Sequence, residues 1–253
     1  MQLKKLEQQA GLQLFRRSGR GLVTTEAGDM LLAYARRIIT LNDEAAASIG
    51  ATAASSSVRI GLPQDFAEDV LPDVLDRFCP RWPGVHVEAR AGRNYALADE
   101  ISENRLDVAV TFSCQSNEIS ETQIARLPMI WIGRPQQFSP SSDGSVALVM
   151  FDHPCLFRQA AVEALEAAGL QWRLSLTTPS LAGVWVALRA GLGVSVRTKQ
   201  GLPSDLGDVG EVLGLPSLST IDLHLIAGTD LSPAASDLHS VVRQVLQERL
   251  ELT

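Results

Sequence analysis

The chain has 253 residues, is 45% hydrophobic and 20% charged, and carries a formal net charge of −7. This is an ordinary globular composition, enough for one or two domains with a sizeable core. It excludes a membrane-spanning helix, because no apolar run reaches the roughly 18 residues that a span needs.

The first residues lack the apolar core of a signal peptide, so the cytoplasm is the expected compartment. Three widely spaced cysteines, Cys79, Cys114 and Cys155, form no C-x-x-C. They read as isolated reduced thiols, with a redox-sensing pair as the alternative. The charge is unevenly divided. Residues 1–40 hold seven basic and three acidic residues, a net of +4, and the rest of the chain carries −11. A basic head on an acidic body points to a polyanion as partner of the head alone.

In chain order, a helix ends at Leu6-Glu7 and is followed by Gly11-Leu12-Gln13-Leu14-Phe15-Arg16-Arg17. A turn at Ser18-Gly19-Arg20-Gly21 lies among the arginines, and Leu22 to Gly28 follows. Thr25 stands in N-cap position for a long helix, with Glu26 and Asp29 in its first turn, where the dipole favours acids. Apolar residues recur at Ala27, Leu31, Tyr34, Ile38, Leu41 and Ala45. Their alternating spacing of four and three is that of a coiled-coil seam, though an amphipathic helix lying on the body has the same period. From 26 to about 49 the helix would be roughly 36 Å long. Gly50 to Ser57 is small and polar and reads as a hinge.

From Val58 onward strands alternate with helices. Strands are expected at 58–62, 85–89 and 106–111, with helices around Pro72 and over 95–103, and 127–132 is another apolar run. A second set has strands at 146–150, 172–177, 194–197 and 221–227, with helices at 157–168, 181–190 and 233–250. Ser180 is the expected N-cap and Gly191 the expected C-cap of the helix at 181–190. Strands spaced by helices of 10–15 residues argue for parallel sheets in βαβ units.

The N-terminal string, five blocks in order over 28 residues, resembles the LysR-type bacterial transcriptional regulators. That resemblance implies the end of a recognition helix and the wing of a winged helix-turn-helix over 1–25. It further implies a linker helix and hinge over 26–57. The later blocks are Ile60-Gly61, Leu71-Pro72, Pro83-Gly84-Val85, Leu106-Asp107-Val108-Ala109-Val110 and Ala190-Gly191-Leu192-Gly193-Val194. They resemble the family's effector-binding domain over 58–253, an α/β fold of two lobes like a type 2 periplasmic binding protein. Lobe one would be 58–132 plus 223–253, and lobe two 133–222. The resemblance implies double-stranded DNA as a partner, met by Gln2, Lys4, Lys5, Arg17 and Arg20. It also implies a homo-oligomer, a dimer or tetramer, paired through Leu31, Tyr34, Ile38 and Leu41.

The family's first helices would precede Met1, which leaves a second reading: a ligand-sensing module that has lost specific DNA binding through truncation. Base-reading residues sit early in a recognition helix, whereas wing arginines mainly meet phosphate. An exported solute-binding protein is disfavoured by the N-terminal string.

In open α/β sheets a ligand sits at the C-terminal ends of strands and at helix N-termini, which attract anions. Five places meet that description: Pro63, Gln64 and Asp65; Arg93, Asn94 and Tyr95; Phe112 and Ser113; Phe157 and Arg158; Arg197 and Thr198. Asn94 stands where the family more often has Ser or Thr. Arg197-Thr198 stands where the family more often has an aliphatic residue and Pro. Three arginines (Arg93, Arg158, Arg197) suit a small anionic effector such as a carboxylate, or else are ordinary surface arginines.

Catalytic readings fare poorly. His86, His153, His224 and His239 form no H-x-x-x-H or H-E-x-x-H, so no metal site is expected. Gly191-Leu192-Gly193 follows a helix rather than a strand, the wrong context for a dinucleotide loop. There is no G-x-S-x-G and no phosphate loop. No enzyme, no cofactor and no membrane association is expected.

Overall fold

The computed structural model describes residues 2–18, 21–32, 34, 35, 38, 57–113, 121–134 and 144–251. The chain divides into two units, Met1–Ser55 and Ser56–Thr253.

In the first unit, α1 (Gln2–Ala10) leads into an antiparallel hairpin of β1 (Phe15–Ser18) and β2 (Gly21–Thr24). The Glu7 carboxylate fixes the helix to the hairpin. Its Oε1 accepts the backbone N–H groups of Leu14 at 2.9 Å and Phe15 at 3.0 Å. A helix, α2, begins at residue 26. Thr25 caps it, accepting from the Gly28 N–H at 3.1 Å while donating to the Gln13 carbonyl at 2.7 Å. Gly28 is needed there, because a Cβ would collide with the Leu14 carbonyl oxygen. On α2, Leu31 is half-buried, while Tyr34 and Ile38 are 57% and 65% exposed. Leu41 and Ala45 lie outside the described residues.

The second unit holds a five-stranded sheet, a three-stranded sheet and a two-stranded sheet. The first has the order β4-β3-β5-β12-β6, built from β3 (Ser57–Pro63), β4 (His86–Gly92), β5 (Val108–Ser113), β6 (Glu121–Pro128) and β12 (Thr220–Ala227). β3 runs parallel to β4 and β5. The expectation of parallel sheets fails at β12, which lies antiparallel between β5 and β6. The chain returns to this sheet from the other lobe and so enters it from the opposite end. A one-turn helix α3 (Gln64–Ala67), then α4 (Leu71–Phe78) and α5 (Asn94–Ser102), link these strands. Val74 and Phe78 of α4 are buried at helical spacing. On α8 (Pro233–Glu251), Ala234, Leu238, Val241, Val245 and Leu246 repeat the pattern. Arg77 pairs with Glu248 and Arg249 with Asp73 across the α4–α8 contact.

In the other lobe β7 (Ile130–Gly133) lies antiparallel between β10 (Ser195–Arg197) and the short β11 (Gly207–Asp208), a further departure from the expected parallel sheets, while β8 (Val146–Phe151) and β9 (Trp172–Thr178) form a parallel pair. A parallel bridge from Leu148 to Val194 connects β8 to the β10 side. Gly193, at φ +151°, makes that junction possible. A Cβ there would strike the Ala147 carbonyl, which accepts the Val194 N–H at 2.9 Å. Helix α6 (Leu156–Ala167) packs on β10, and α7 (Leu181–Arg189) packs on β7, β8 and β9. Ser180 caps α7 as expected, and the C-cap is Ala190, one residue before Gly191.

The chain passes between sheets at Met129 and again at Ser219, where the Met129 N–H bonds the Ser219 carbonyl. Both points lie earlier than the expected 133 and 222. The apolar run 127–132 is divided there: Pro128 ends β6 and Ile130 opens β7.

Candidate functional site

Between the two lobes lies a cavity of about 420 Å³. Lobe one contributes Pro63, Gln64 and Asp65 after β3, Gly92, Arg93 and Asn94 after β4, and Phe112 at the end of β5. Lobe two contributes Phe151 at the end of β8, the first residues of α6, Trp172 and Arg197. β3, β4, β5 and β8 each bring their C-terminal end to the cavity, as open α/β sheets commonly do at a ligand crevice.

One wall is a buried ion pair. Arg197 donates from Nε to Asp65 Oδ1 at 2.8 Å and from a terminal nitrogen to Oδ2. The two side chains are 6% and 0% exposed. The guanidinium carbon also lies 4.6 Å from the Phe151 ring centre and 4.2 Å from that of Phe157. A planar cation stacked on rings and held by a carboxylate fork is a geometry that arginine suits and lysine does not. Phe112 meets Phe157 edge-on, with centroids 5.2 Å apart.

Further contacts cross from lobe to lobe. Gln64 accepts from the Leu181 N–H at 2.7 Å and donates to the Pro179 carbonyl at 3.2 Å. Asp69 accepts from the Gly201 N–H at 3.0 Å. Arg93 pairs with Asp152 at 2.8 Å, both partly exposed.

Two helix N-termini face the space. Neither N-cap side chain, Cys155 of α6 nor Arg93 of α5, makes a capping hydrogen bond to its own helix. Their first N–H groups therefore have no capping side chain, and the helix dipole adds partial positive charge. Arg158 stands in the first turn of α6, half-buried, with no ion pair among the described residues. The arrangement offers a small molecule an apolar body-space and one cationic corner. No group of His, Cys, Asp and Glu suited to a metal ion is found among the described residues.

Residues 51–247 match the LysR substrate binding domain family. The chain belongs to the LysR family of transcriptional regulators. It is 32% identical to the HTH-type transcriptional regulator PecT of Dickeya dadantii over 90% of this chain and 72% of that one. It is 33% identical to DgdR of Burkholderia cepacia over 88% of this chain and 76% of that one. Full-length CbnR, a LysR-family regulator solved with its target DNA, shares the fold with a TM-score of 0.64 at 15% identity. That match covers 96% of this chain and 88% of CbnR.

In this LysR-family chain most of the expected effector residues come together. Pro63, Gln64, Asp65, Arg93, Asn94, Phe112, Phe157, Arg158 and Arg197 all line the cavity. Their roles differ from expectation in three cases. Arg197 is neutralised by Asp65, so neither is a free charge. Arg93 is engaged by Asp152. Asn94 turns its amide to the backbone of Phe112, donating to its carbonyl and accepting its N–H, so it clamps β5. Ser113 and Thr198 are outside the lining. Thr198 is 1% exposed, and its hydroxyl has no partner among the described residues. The Tyr95 side chain lies outside the described residues.

Sequence reasoning missed Phe151, Cys155, Val162 and Trp172. The strand-end rule applied to Phe112 would have found Phe151. Trp172 opens its strand, and no local pattern marks it. Of the expected DNA-facing residues Lys5 is exposed on α1. The side chains of Gln2, Lys4 and Arg17, and the whole of Arg20, lie outside the described residues.

Proposed function

We propose that this protein is a cytoplasmic DNA-binding regulator that senses a small anionic effector between its two α/β lobes and acts as a homo-oligomer, a dimer or tetramer. It performs no chemical step. Effector binding would change the population of protomer geometries and thereby the placement of the DNA-binding heads. One observation carries the reading. A single chain of this family joins a basic helix-and-wing segment to an interlobe cavity whose uncompensated charge is positive. Double-stranded DNA as partner fits the basic head, and PecT and DgdR are both HTH-type transcriptional regulators. The exposed Tyr34 and Ile38 on α2 favour pairing with a second copy.

Fluorescence anisotropy with duplexes from the region upstream of the protein's own gene tests this. Affinity should fall steeply as salt rises, because neutralised phosphates release counterions. Arg17→Gln with Arg20→Gln should flatten that slope by about two charges' worth. Salt-insensitive binding, or none for the full chain, counts against the DNA-binding half of the proposal.

A further inference from the structure

The charged walls of the cavity form a ledger. Asp65 and Arg197 cancel in a buried fork. Arg93 has its counter-charge in Asp152. Arg158 alone among these arginines has no carboxylate beside it among the described residues. It stands in the first turn of a 12-residue helix whose N-cap side chain leaves the N–H groups unclaimed. The positive corner is thus sized for one anionic group. Most of the remaining wall is apolar, formed by Phe112, Phe151, Phe157, Leu156, Val162 and Trp172, with Gln64, Asn94, His153 and Gln159 as its other polar members.

We propose that the cavity selects a monoanion with a planar aromatic or broad apolar body, an arene carboxylate in its chemistry, over small polyanions. The inference rests on the reading that the interlobe cavity is the effector site. The carboxylate sits against Arg158 and the first N–H groups of α6, where charge-assisted bonds are strongest. The ring lies among the phenylalanines, which favour offset and edge-on partners. A cavity of about 420 Å³ is in the range that binds an organic molecule of drug-fragment size or more. A second carboxylate on the ligand would be placed against aromatic walls with no counter-charge. Taking such a charge out of water is costly. A compact polyanion therefore loses its hydration and leaves the apolar lining unfilled. The Asp65–Arg197 pair is the specificity device: by spending the charge of Arg197 internally, it keeps the cavity to a single positive corner.

Thermal-shift and calorimetric titrations of the full chain with 1-naphthoate, phenylacetate, phenylacetamide, succinate and citrate test the proposal. 1-Naphthoate and phenylacetate should raise the melting temperature, while phenylacetamide, succinate and citrate should leave it unmoved. Arg158→Gln should weaken 1-naphthoate about ten-fold or more, which corresponds to about 1.4 kcal/mol, with the ligand-free melting temperature kept. If Arg158→Gln does not fold, Arg158→Lys is read instead and should weaken binding less than ten-fold. Succinate or citrate binding as tightly as 1-naphthoate overturns the monoanion class but leaves an anionic effector standing. Stabilisation by phenylacetamide equal to phenylacetate overturns both the class and the anionic effector. No shift with any arene carboxylate overturns the proposal.

Discussion

Removing the carboxylate of Asp65 has the largest calculable consequence in the cleft. Asp65 is fully buried, and its partner Arg197 is 6% exposed, so solvent screening does not blunt the pair. Asp65→Ala leaves a buried guanidinium with no counter-charge. The usual cost of such an orphan is about 3–5 kcal/mol. For a unit the size of Ser56–Thr253, each kcal/mol moves the melting temperature by roughly 2–4 °C, so a fall of roughly 6–20 °C is expected. Replacing both partners by apolar residues, Asp65→Leu with Arg197→Met, should recover most of that loss, because two desolvation costs disappear together. Unfolding followed by circular dichroism for the wild type, both single variants and the double variant gives the coupling directly. The single variant has a second effect. It frees the charge of Arg197, so succinate should now stabilise Asp65→Ala more than it stabilises wild type. A loss under about 1 kcal/mol for Asp65→Ala would refute the reasoning. It would mean that water reaches Arg197 and that the pair does not set the charge of the cleft.

Other expectations follow from the fold. Gly193→Ala forces a Cβ onto the Ala147 carbonyl at a backbone angle that side chains avoid, at a cost of roughly 2–6 kcal/mol. Gly169→Ala, with φ +68° but open space, should cost only about 1–2 kcal/mol, and urea unfolding of the two variants separates crowding from backbone strain. Burial, and then the nearby Arg243, push the His239 imidazole below its ordinary 6.5. The unfolded chain therefore takes up the proton first. Stability should fall as pH drops through 6.5 and level off below the depressed folded value, and His239→Gln should be flatter over that window. The hydrogen bond from Arg77 holds the Glu248 carboxyl below its usual value. That contribution is present above the ordinary glutamate range and is lost as pH falls through the folded value, and less acid sensitivity in Glu248→Gln is the check. Leu31→Glu with Ile38→Glu places charges in an apolar seam, and sedimentation should then show smaller species. An unchanged oligomer would mean that another interface dominates.

Much of this architecture was legible because burial leaves a period in the sequence. The α8 stripe and the β8 run Val146–Phe151, buried throughout, declare themselves. β6 did not, because it is an edge strand whose Thr122, Gln123 and Arg126 face water, and its alternation is mostly polar. Strand direction was also hidden: the period of β12 is the same whether it lies parallel or antiparallel. The cleft residues were found from one rule about strand ends, but their pairings were not. Asp65 and Arg197 are 132 positions apart, and Asn94 meets Phe112 only after β4 and β5 are folded. A residue type at a strand end says that a charge is near the crevice. Only the tertiary partner says whether that charge is still available.

The central claim is that a small anion is held between the two lobes. Hydrogen–deuterium exchange of the full chain, with and without saturating 1-naphthoate, tests it most directly. Protection should concentrate at the amides of Leu156, Phe157, Arg158 and Gln159 in the first turn of α6, with a smaller gain around Arg93 and Phe112. Protection confined to residues outside the cleft, or none at a concentration that raises the melting temperature, would contradict the account.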